Sequence, residues 1–501
     1  MEQNLATAQI STPRPCWDRS RLVSRIVHLG CGAFHRAHQA LYTHHLLESS
    51  DSDWGICEVN LMPGNDATLI QNLKAQDLLY TVAERGAQNT ELKIIGSMNE
   101  ALHPEFDGGD AIIRAMARPE TAIVSLTITE KGYCTDPASG ELDLNHPFIQ
   151  HDIVNPQSPK SAIGYIVEAL ALRRKQGLKA FTVLSCDNVR ENGHVAKAAV
   201  LGLAATRDPQ LADWIAAHVT FPCTMVDRIV PAATDEALAQ IAGQLGVYDP
   251  CAIACEPFRQ WVIEDNFVNG RPDWDRVGAQ FVEDVVPFEM MKLRMLNGSH
   301  SFLAYLGYLG GYETIADTMT NPAYRNAALA LMLDEQAPTL SMPEGTDLAG
   351  YAELLIARFS NPSLKHRTWQ IAMDGSQKLP QRLLDPIRLH LEQGDNYRRL
   401  ALGVAGWIRY VSGIDEKGNP IEVVDPLAEQ FRAIYQHYPS TGERVRALLA
   451  IDTIFGRDLR DNTDFVEHVT AACQQLHSLG ARAAVAALSY YAYCFKDPRS
   501  A

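Results

Sequence analysis

The order of strand and helix patterns constrains this chain more than any other feature of its sequence. Residues 25–29 (RIVHL) have the pattern of a short buried strand, which ends at a glycine-rich turn, Gly30-Cys31-Gly32. Strand and helix patterns then alternate, with strands expected at 54–59, 92–95, 122–127 and 181–185 and helices at 37–49, 109–117 and 161–176. This alternation predicts βαβ units and a mostly parallel sheet.

The pattern changes after residue 284, where helix-compatible segments replace strands. They are expected at 290–309, 323–334, 348–359, 379–393, 398–411 and 464–479. We therefore predict an α/β domain over residues 1–284, with residues 1–20 as a surface arm, and a mainly helical domain over 285–501. Active sites of such proteins commonly lie in the cleft between domains.

Charge and cysteine content exclude several classes of protein. The net charge is -16, with 60 acidic and 44 basic residues, which argues against nucleic acid or an anionic membrane as partner. Ten cysteines scattered over 501 residues indicate reduced thiols rather than a disulfide framework. The first residues lack a signal-peptide pattern, and no apolar run is long enough to span a membrane. These features predict a cytoplasmic protein.

The glycine-rich turn is a candidate cofactor site. The motif GCGAFHRAH has the first two glycines of G-x-G-x-x-G, with His35 in place of the third. Backbone N–H groups in such a turn can bind a pyrophosphate. The predicted cofactor contacts are Gly30, Gly32, Ala33 and Phe34. The alternative is a tight turn that binds no ligand.

An acidic residue some 20 to 30 positions after this turn would bind the ribose hydroxyls of NAD. Glu58, at the end of the strand pattern 54–59, is the candidate, and Asn65 and Asp66 lie in the loop that follows. No arginine follows this strand to accept the 2′-phosphate of NADP. The sequence therefore favours NAD.

A polar triplet in the segment 288–312 is the candidate catalytic group. On a regular helix Lys292, Asn297 and His300 fall at roughly 0°, 140° and 80°, so they share one broad face. A desolvated lysine can act as general base for alcohol oxidation, while an amide and an imidazole donate hydrogen bonds to the reacting oxygen. This set requires no metal. The alternative is a solvated face or a helix cap.

Two further polar groups are candidates for ligand contact. Asn188 follows the strand pattern 181–185 at its carboxyl end, where open α/β sheets bind ligands, although an asparagine there is also common in turns. Asp227 and Arg228 form a pair that either is structural or anchors the substrate.

Two other classes of function, a zinc-dependent hydrolase or aldolase and a catalytically silent sensor, fit these residues less well than a dehydrogenase. His35, His38, His44 and His45 lie close together, as do Cys251 and Cys255, but their spacings do not match those of zinc sites. A catalytically silent sensor is disfavoured because Lys292, Asn297 and His300 are all present.

These motifs together resemble the long-chain polyol-specific dehydrogenase/reductase family, also called the mannitol dehydrogenase family. The resemblance covers nearly the whole chain and rests on GCGAFHRAHQ (30–39), SLTITEKGY (125–133), TVLSCDN (182–188), MVDRIVP (225–231), CEPFRQWVIEDNFVNGRP (255–272) and K-x4-N-x2-H at 292–300. It implies an N-terminal Rossmann-type NAD-binding domain and a mainly helical C-terminal domain of the 6-phosphogluconate dehydrogenase C-terminal-like type. It also implies no metal and a monomer or small homo-oligomer.

The resemblance assigns roles to the catalytic candidates. Lys292 would be the general base, Asn297 and His300 would position the reacting oxygen, Asn188 would help to form the oxyanion site, and Glu289 would pass protons between Lys292 and solvent. The loop MPGND has Gly64 and Asn65 where mannitol-oxidising relatives carry an acidic pair.

Within the family the sequence is most similar to the branch that interconverts D-mannonate and D-fructuronate with NAD. In the segment 366–378 Gln370 replaces an arginine of the polyol enzymes, while Lys378 matches their lysine. We expect Lys378, with Arg367 or Arg228, to bind the carboxylate of a sugar acid. The alternative is a mannitol- or arabinitol-type polyol 2-dehydrogenase that acts on uncharged sugars.

Overall fold

The computed structural model describes residues 3–490, which form two compact units that divide between Val286 and Pro287. The predicted fold class is confirmed: the N-terminal unit is α/β with a five-stranded parallel sheet, and the C-terminal unit is mainly helical. Within the described residues no helix is long and apolar enough to cross a membrane.

All the strands of the described chain belong to the N-terminal unit. They are β1 (Val23–Leu29), β2 (Trp54–Val59), β3 (Tyr80–Arg85), β4 (Thr90–Ile95), β5 (Met98–Leu102), β6 (Ile123–Leu126), β7 (Thr182–Ser185), β8 (Thr224–Asp227), β9 (Ile253–Cys255), β10 (Gln260–Glu264) and β11 (Gln280–Val282).

The main sheet has the strand order β5-β2-β1-β6-β7, and every neighbouring pair is parallel. In this register His28 of β1 lies beside Glu58 of β2 and Ser125 of β6. Successive residues of a strand face opposite sides of the sheet, so Ile26 and Val27 belong to different apolar clusters. The sheet is therefore buried on both faces, as parallel sheets usually are.

Two small sheets stand apart from the main one, in the orders β11-β10-β8 and β4-β3-β9. The strand predicted at 92–95 belongs to the second, where Thr90–Ile95 pairs antiparallel with Tyr80–Arg85. It was expected in the mostly parallel sheet, and that expectation is wrong. Its local pattern predicts a strand correctly, but this strand is the second arm of a hairpin whose first arm, Tyr80–Arg85, was not predicted.

The α-helices of the N-terminal unit connect these strands. They are Ala33–Ala37, Gln39–Ser49, Asn65–Ala75, Pro104–Asp107, Gly109–Ala117, Thr129–Gly132, Pro147–Val154, Ala162–Lys175, Asn192–Arg207, Pro209–His218 and Asp235–Leu245, and Val286–Met291 begins at the division between the units.

The N-terminal arm is anchored rather than lying free on the surface. Leu5 is fully buried and packs with Leu79, Ile94 and Leu245. Arg14 donates hydrogen bonds to the carbonyl of Leu5, which holds the arm in a compact turn. The other described residues of the arm are exposed or half-buried except for Ala8, so the arm runs over the surface and is held there by this apolar anchor.

The C-terminal unit is built from α-helices of varied length. They are Gly298–Leu309, Ile315–Met319, Pro322–Ala330, Leu348–Phe359, Thr368–Ile371, Gly375–Leu379, Asp385–Gln393, Arg398–Tyr410, Ala428–His437, Thr441–Leu449, Asp452–Arg460, Thr463–Leu479 and Ala481–Tyr490.

Within residues 3–490, three π-helical segments, Lys292–Asn297, Leu331–Gln336 and Pro380–Leu384, interrupt or join these helices. The first and third lie within helices predicted at 290–309 and 379–393, and the second overlaps the end of the helix predicted at 323–334. Such segments are frequent at functional sites.

Candidate active site

The glycine-rich turn after β1 has the geometry of a nucleotide-binding loop. Gly30 has a φ of +98°, and a Cβ placed there would lie 2.1 Å from the carbonyl oxygen of Thr127. A Cβ at Gly32 would meet nothing within 4 Å. Gly30 is thus required by the fold, whereas Gly32 leaves open space in which a ligand can approach the backbone.

A cavity of about 560 Å³ adjoins this turn. Its lining includes Gly30, Cys31, Gly32, Asn60, Met62, Asp66, Thr127, Thr129, Lys131, His146, Phe148 and Lys160. The side-chain oxygen of Asn60 accepts a 2.7 Å hydrogen bond from the backbone N–H of Cys31, which fixes the turn. Backbone donors, two lysines and an open glycine face suit the pyrophosphate of a dinucleotide.

Ala33 and Phe34 begin the helix Ala33–Ala37 and are half-buried. The Phe34 ring stacks on His38 with a centroid distance of 4.8 Å, and Ala33 and Phe34 pack against the apolar cluster that contains Ile26. Their predicted contact with the cofactor stays a prediction.

Glu58 does not occupy the position expected of a ribose ligand. Its side chain is fully buried, and one carboxyl oxygen lies 2.6 Å from Nε2 of His35. Asn65 is exposed at the first position of the helix Asn65–Ala75. The groups of this region that line the cavity are Asn60 and Asp66. The prediction that Glu58 binds the ribose is therefore wrong, because its carboxyl group is buried against His35 and does not line the cavity.

The candidate catalytic residues of the C-terminal unit lie on the π-helical segment Lys292–Asn297 and the helix Gly298–Leu309 that follows. The backbone N–H of Gly298 bonds to the carbonyl of Leu293, five residues earlier. A π-helical turn contains more residues than an α-helical turn, so Lys292 and Asn297 are separated by a smaller angle than on a regular helix. The separation of 140° expected for a regular helix is therefore wrong, and the π-helical turn brings the two side chains closer to one face.

His300 is buried near the start of the helix Gly298–Leu309. Its ring lies 4.8 Å from that of Phe359 and 5.1 Å from that of His366. Burial first, and then the basic neighbours His366 and Arg382, hold the pKa of His300 well below its ordinary value. Nε2 of His300 has no hydrogen-bond partner among residues 3–490. A neutral imidazole with a vacant nitrogen suits a hydrogen bond to a substrate oxygen.

Lys292 and Asn297 are both half-buried, as is Glu289. Glu289 lies three residues before Lys292, in the helix Val286–Met291. Partial burial leaves these side chains accessible while reducing their hydration, which general acid–base chemistry requires.

A basic group accompanies His300. Lys378 is half-buried, its Nζ lies 3.3 Å from the carbonyl of Ile371, and burial followed by the charge of Arg382 lowers its pKa. The guanidinium of Arg382 is half-buried, donates a 3.2 Å hydrogen bond to Oγ of Ser301, and has its pKa lowered by desolvation to about 10. Arg382 was not predicted from the sequence, where its position four residues after Lys378 was the available signal.

The two arginines predicted beside Lys378 have other partners. Arg228 is buried and donates to the carbonyls of Ala37 and Glu256 while pairing with Glu84 at 2.8 Å. That geometry makes Arg228 structural, which corrects its assignment to the substrate. Arg367 forms an ion pair with Glu313 at the surface.

Asn188 is exposed and lies in the bend after β7. The preceding residue, Asp187, is buried and accepts hydrogen bonds from the hydroxyl of Tyr133 and the backbone N–H groups of Ile128 and Thr129. Asp187 therefore ties the end of β7 to the loop after β6. The catalytic role of Asn188 stays a prediction.

Family models match both parts of the chain. Residues 24–276 match the mannitol dehydrogenase Rossmann domain, and residues 284–477 match the mannitol dehydrogenase C-terminal domain. The chain therefore belongs to the mannitol dehydrogenase family.

Individual relatives are similar over nearly the whole chain. The D-mannonate oxidoreductase of Escherichia coli (strain K12) is 76% identical over 484 residues, which are 97% of this chain and 99% of that protein. Mannitol 2-dehydrogenase of Pseudomonas fluorescens, solved as a ternary complex with NAD and D-mannitol, is 40% identical with a TM-score of 0.77, covering 95% of this chain and 96% of that one. A D-sorbitol dehydrogenase is 34% identical with a TM-score of 0.87, covering 94% and 96%.

Proposed function

We propose that this protein is an NAD-dependent oxidoreductase that interconverts D-mannonate and D-fructuronate. The observation that carries the proposal is the 76% identity to a D-mannonate oxidoreductase over 97% of the chain. The nucleotide turn with its cavity and the triplet Lys292, Asn297 and His300 support a dehydrogenase independently of that likeness.

The proposed chemistry moves a hydride and a proton. A dinucleotide held at the Gly30–Gly32 turn would supply the hydride acceptor for the carbon that carries the substrate hydroxyl. Lys292 takes the hydroxyl proton during oxidation and returns it during reduction of the ketone. Asn297 and His300 donate hydrogen bonds to the oxygen, on which negative charge gathers. Asn188 and Glu289 keep their predicted roles in the oxyanion site and in proton exchange with solvent.

The substrate carboxylate is assigned to the basic group of the C-terminal unit. Lys378 is its predicted partner, and the half-buried guanidinium of Arg382 adds positive charge nearby. Both groups have lowered pKa values because burial penalises their charged forms, so an anionic ligand would relieve an unfavourable interaction. An uncharged polyol would give no such relief.

The remaining expectations complete the proposal. The protein would act in the cytoplasm on a small sugar acid, as a monomer or small homo-oligomer, without a metal and without nucleic acid or membrane as partner. The net charge of -16 supports the last point.

The test is NADH oxidation by the purified protein with D-fructuronate or D-fructose as substrate. We expect rapid turnover with fructuronate and little with fructose. Preference for fructose would instead support the polyol 2-dehydrogenase alternative, to which the 40% identity with a mannitol 2-dehydrogenase also points. Inactivity with both sugars would refute the substrate assignment.

A further inference from the structure

A buried cluster of titratable side chains lies next to the nucleotide turn and has no part in the proposed chemistry. It consists of His28 of β1, His35 of the helix Ala33–Ala37 and Glu58 of β2, and we call it the His–Glu cluster. Each of the three residues is at most 1% exposed. The burial of three ionisable side chains together requires an explanation, because such burial is unfavourable unless the groups form hydrogen bonds and their charges are neutralised.

The first contact of the cluster is a short hydrogen bond. Nε2 of His35 lies 2.6 Å from Oε1 of Glu58, and one proton must lie between the two atoms. The ring of His35 stacks on that of His28, with centroids 3.4 Å apart and planes 9° from parallel. His35 stands at the position where G-x-G-x-x-G has its third glycine, so the cluster fills space that a glycine would leave to close helix–sheet packing.

The second set of contacts joins His28 to the turn. Nε2 of His28 lies 2.8 Å from Oγ1 of Thr127 and 3.1 Å from the carbonyl oxygen of Gly30. Because the Thr127 hydroxyl donates to Gly30 at 2.7 Å, Nε2 of His28 carries the proton and donates. Nδ1 of His28 then accepts from the Ser125 hydroxyl at 2.7 Å. The cluster thus holds the carbonyl of the glycine whose positive φ shapes the turn.

The donor set also matches that of a metal site, since ligand atoms of the three residues lie within 4.8 Å of one another. The geometry favours protons instead. Both nitrogens of His28 already have partners, and two parallel stacked rings cannot direct in-plane lone pairs to one ion.

The charge of the cluster depends on a single proton. Burial raises the pKa of Glu58 to about 7 and lowers that of His35 to about 3, so below neutral pH the carboxyl keeps the proton and the pair is neutral. Burial also keeps the pKa of His28 well below its ordinary value. The other titratable or charged groups that act on the cluster from neighbouring elements are Cys31, Arg36, Cys57 and Tyr80.

Loss of that proton would change the electrostatic potential at the Gly30–Gly32 turn. The Cys31 thiol interacts with Glu58, and Cys31 itself lines the cavity beside Gly30 and Gly32. A carboxylate at Glu58 would place an unscreened negative charge beside the backbone donors that meet a diphosphate. The positive charge of Arg36 acts on Glu58, and Nε of Arg36 donates a hydrogen bond to the carbonyl of Gly32 at 3.2 Å.

We propose that His35 and Glu58 are positioning residues for the cofactor: acting through His28 and Cys31, the pair keeps the Gly30–Gly32 turn competent to bind an anionic dinucleotide only while it shares a proton. The inference rests on the proposed function in one respect, that the cavity takes a dinucleotide. It follows that NADH affinity falls as the pair ionises and that NADH binding draws a proton into the cluster.

The experiment is the dissociation constant of NADH, measured by fluorescence between pH 5.5 and 9.5 for the wild type, Glu58→Gln and Glu48→Gln. We expect wild-type affinity to be about tenfold weaker at the alkaline end, the order of effect of one buried charge on a diphosphate. Glu58→Gln keeps a donor to His35 and cannot ionise, so its profile should be flat at the tight wild-type value. Glu48 is exposed on the helix Gln39–Ser49 and does not line the cavity, so the matched substitution Glu48→Gln should keep the wild-type transition.

A second measurement needs no variant. Calorimetric titration of the wild type with NADH at pH 7.5, in two buffers of different ionisation enthalpy, should show uptake of a fraction of a proton, and at pH 5.5 it should show none. Tight NADH binding whose affinity does not change with pH, without proton uptake, would overturn this inference and leave the proposed function intact. A transition that survives Glu58→Gln, or is lost in Glu48→Gln, would also overturn it. A stoichiometric metal that His35→Gln releases would replace proton sharing by metal binding, and absence of NADH binding at every pH would overturn the proposed function as well.

Discussion

Each unit has a buried histidine in its predicted site, and the two histidines differ in the charges around them. His35 of the N-terminal unit bonds to an acid, Glu58, at 2.6 Å. His300 of the C-terminal unit is influenced by His366, Arg382 and Lys378, all of them basic. Burial lowers the pKa of both imidazoles and keeps both neutral.

The difference shows that the neighbours, not the histidines, decide what each region attracts. An acid partner lets the N-terminal cluster hold one proton beside a turn that is to bind a diphosphate. Basic neighbours give the C-terminal region an affinity for anions, as a sugar carboxylate would require. The following predictions test whether the two regions can be separated in this way.

The largest effect is expected in the C-terminal unit. Lys292→Ala should lower kcat for D-mannonate oxidation by about 10³-fold, within the range for loss of a general base. The dissociation constant of NADH should stay within a factor of about two, because the nucleotide turn is unchanged. Steady-state kinetics and NADH fluorescence check the two parts. An equal loss of cofactor binding would contradict the separation of the regions.

The next effect concerns the turn itself. Gly30→Ala should destabilise the protein by about 1–3 kcal/mol, because alanine disfavours the positive φ and its Cβ meets the Thr127 carbonyl. Its NADH dissociation constant should rise more than about tenfold. Gly32→Ala is the matched variant: we expect unfolding free energy within about 0.5 kcal/mol of wild type and weaker NADH binding only. Equal destabilisation by both substitutions in denaturant titrations would refute this assignment.

A smaller effect is expected at the carboxylate site. Lys378→Met keeps the length of the side chain and removes its charge, so KM for D-fructuronate should rise about tenfold or more. Arg367→Met is the control, because Arg367 pairs with Glu313 at the surface, and its KM should change less than about twofold. An unchanged KM in Lys378→Met would remove this residue from the substrate site.

The smallest expected effect is a change in the free energy of unfolding with pH. Burial lowers the pKa values of His38 and His44 to about 3, so the folded protein binds fewer protons than the unfolded chain between pH 3 and 6.5. Above pH 6.5 both side chains are neutral in the folded and the unfolded chain, so their protonation does not affect the free energy of unfolding. As pH falls from 6.5 toward 3, the unfolded chain binds protons that the folded protein does not, and the free energy of unfolding decreases. Each should contribute about 1 kcal/mol per pH unit in that window. Urea titrations of the wild type and His44→Gln should show a shallower slope for the variant; equal slopes would contradict the contribution of His44.

Much of the fold could be predicted because its signals are local. The strand Trp54–Val59 and the helices Gly109–Ala117 and Leu348–Phe359 have the predicted bounds, since each has a clear pattern between evident breaks. The strands Tyr80–Arg85 and Met98–Leu102 and the short strands β8 to β11 were not predicted. Short strands give little periodic signal, and β9 pairs with Tyr80–Arg85, which lies much earlier in the sequence.

The site was predictable in its residue types and less so in its geometry. Gly30 shows its role in the sequence, because a glycine after a strand indicates a special turn. The burial of Glu58 could not be foreseen, since it depends on His35, which is 23 residues away and belongs to another element. Likewise a pattern of 100° per residue cannot show where the backbone changes to i→i+5 bonding at Lys292.

The π-helical segment also makes helix length a design constraint. A turn closed by i→i+5 bonds contains one residue more than an α-helical turn, so deleting one residue between Lys292 and Asn297 would let the segment relax to a regular helix. If the five-residue spacing were kept on a regular α-helix instead, Lys292 and Asn297 would be separated by about 140° and would diverge more than they do here. For an engineer who transfers this site to another helical scaffold, the spacing and the irregular backbone must be moved together.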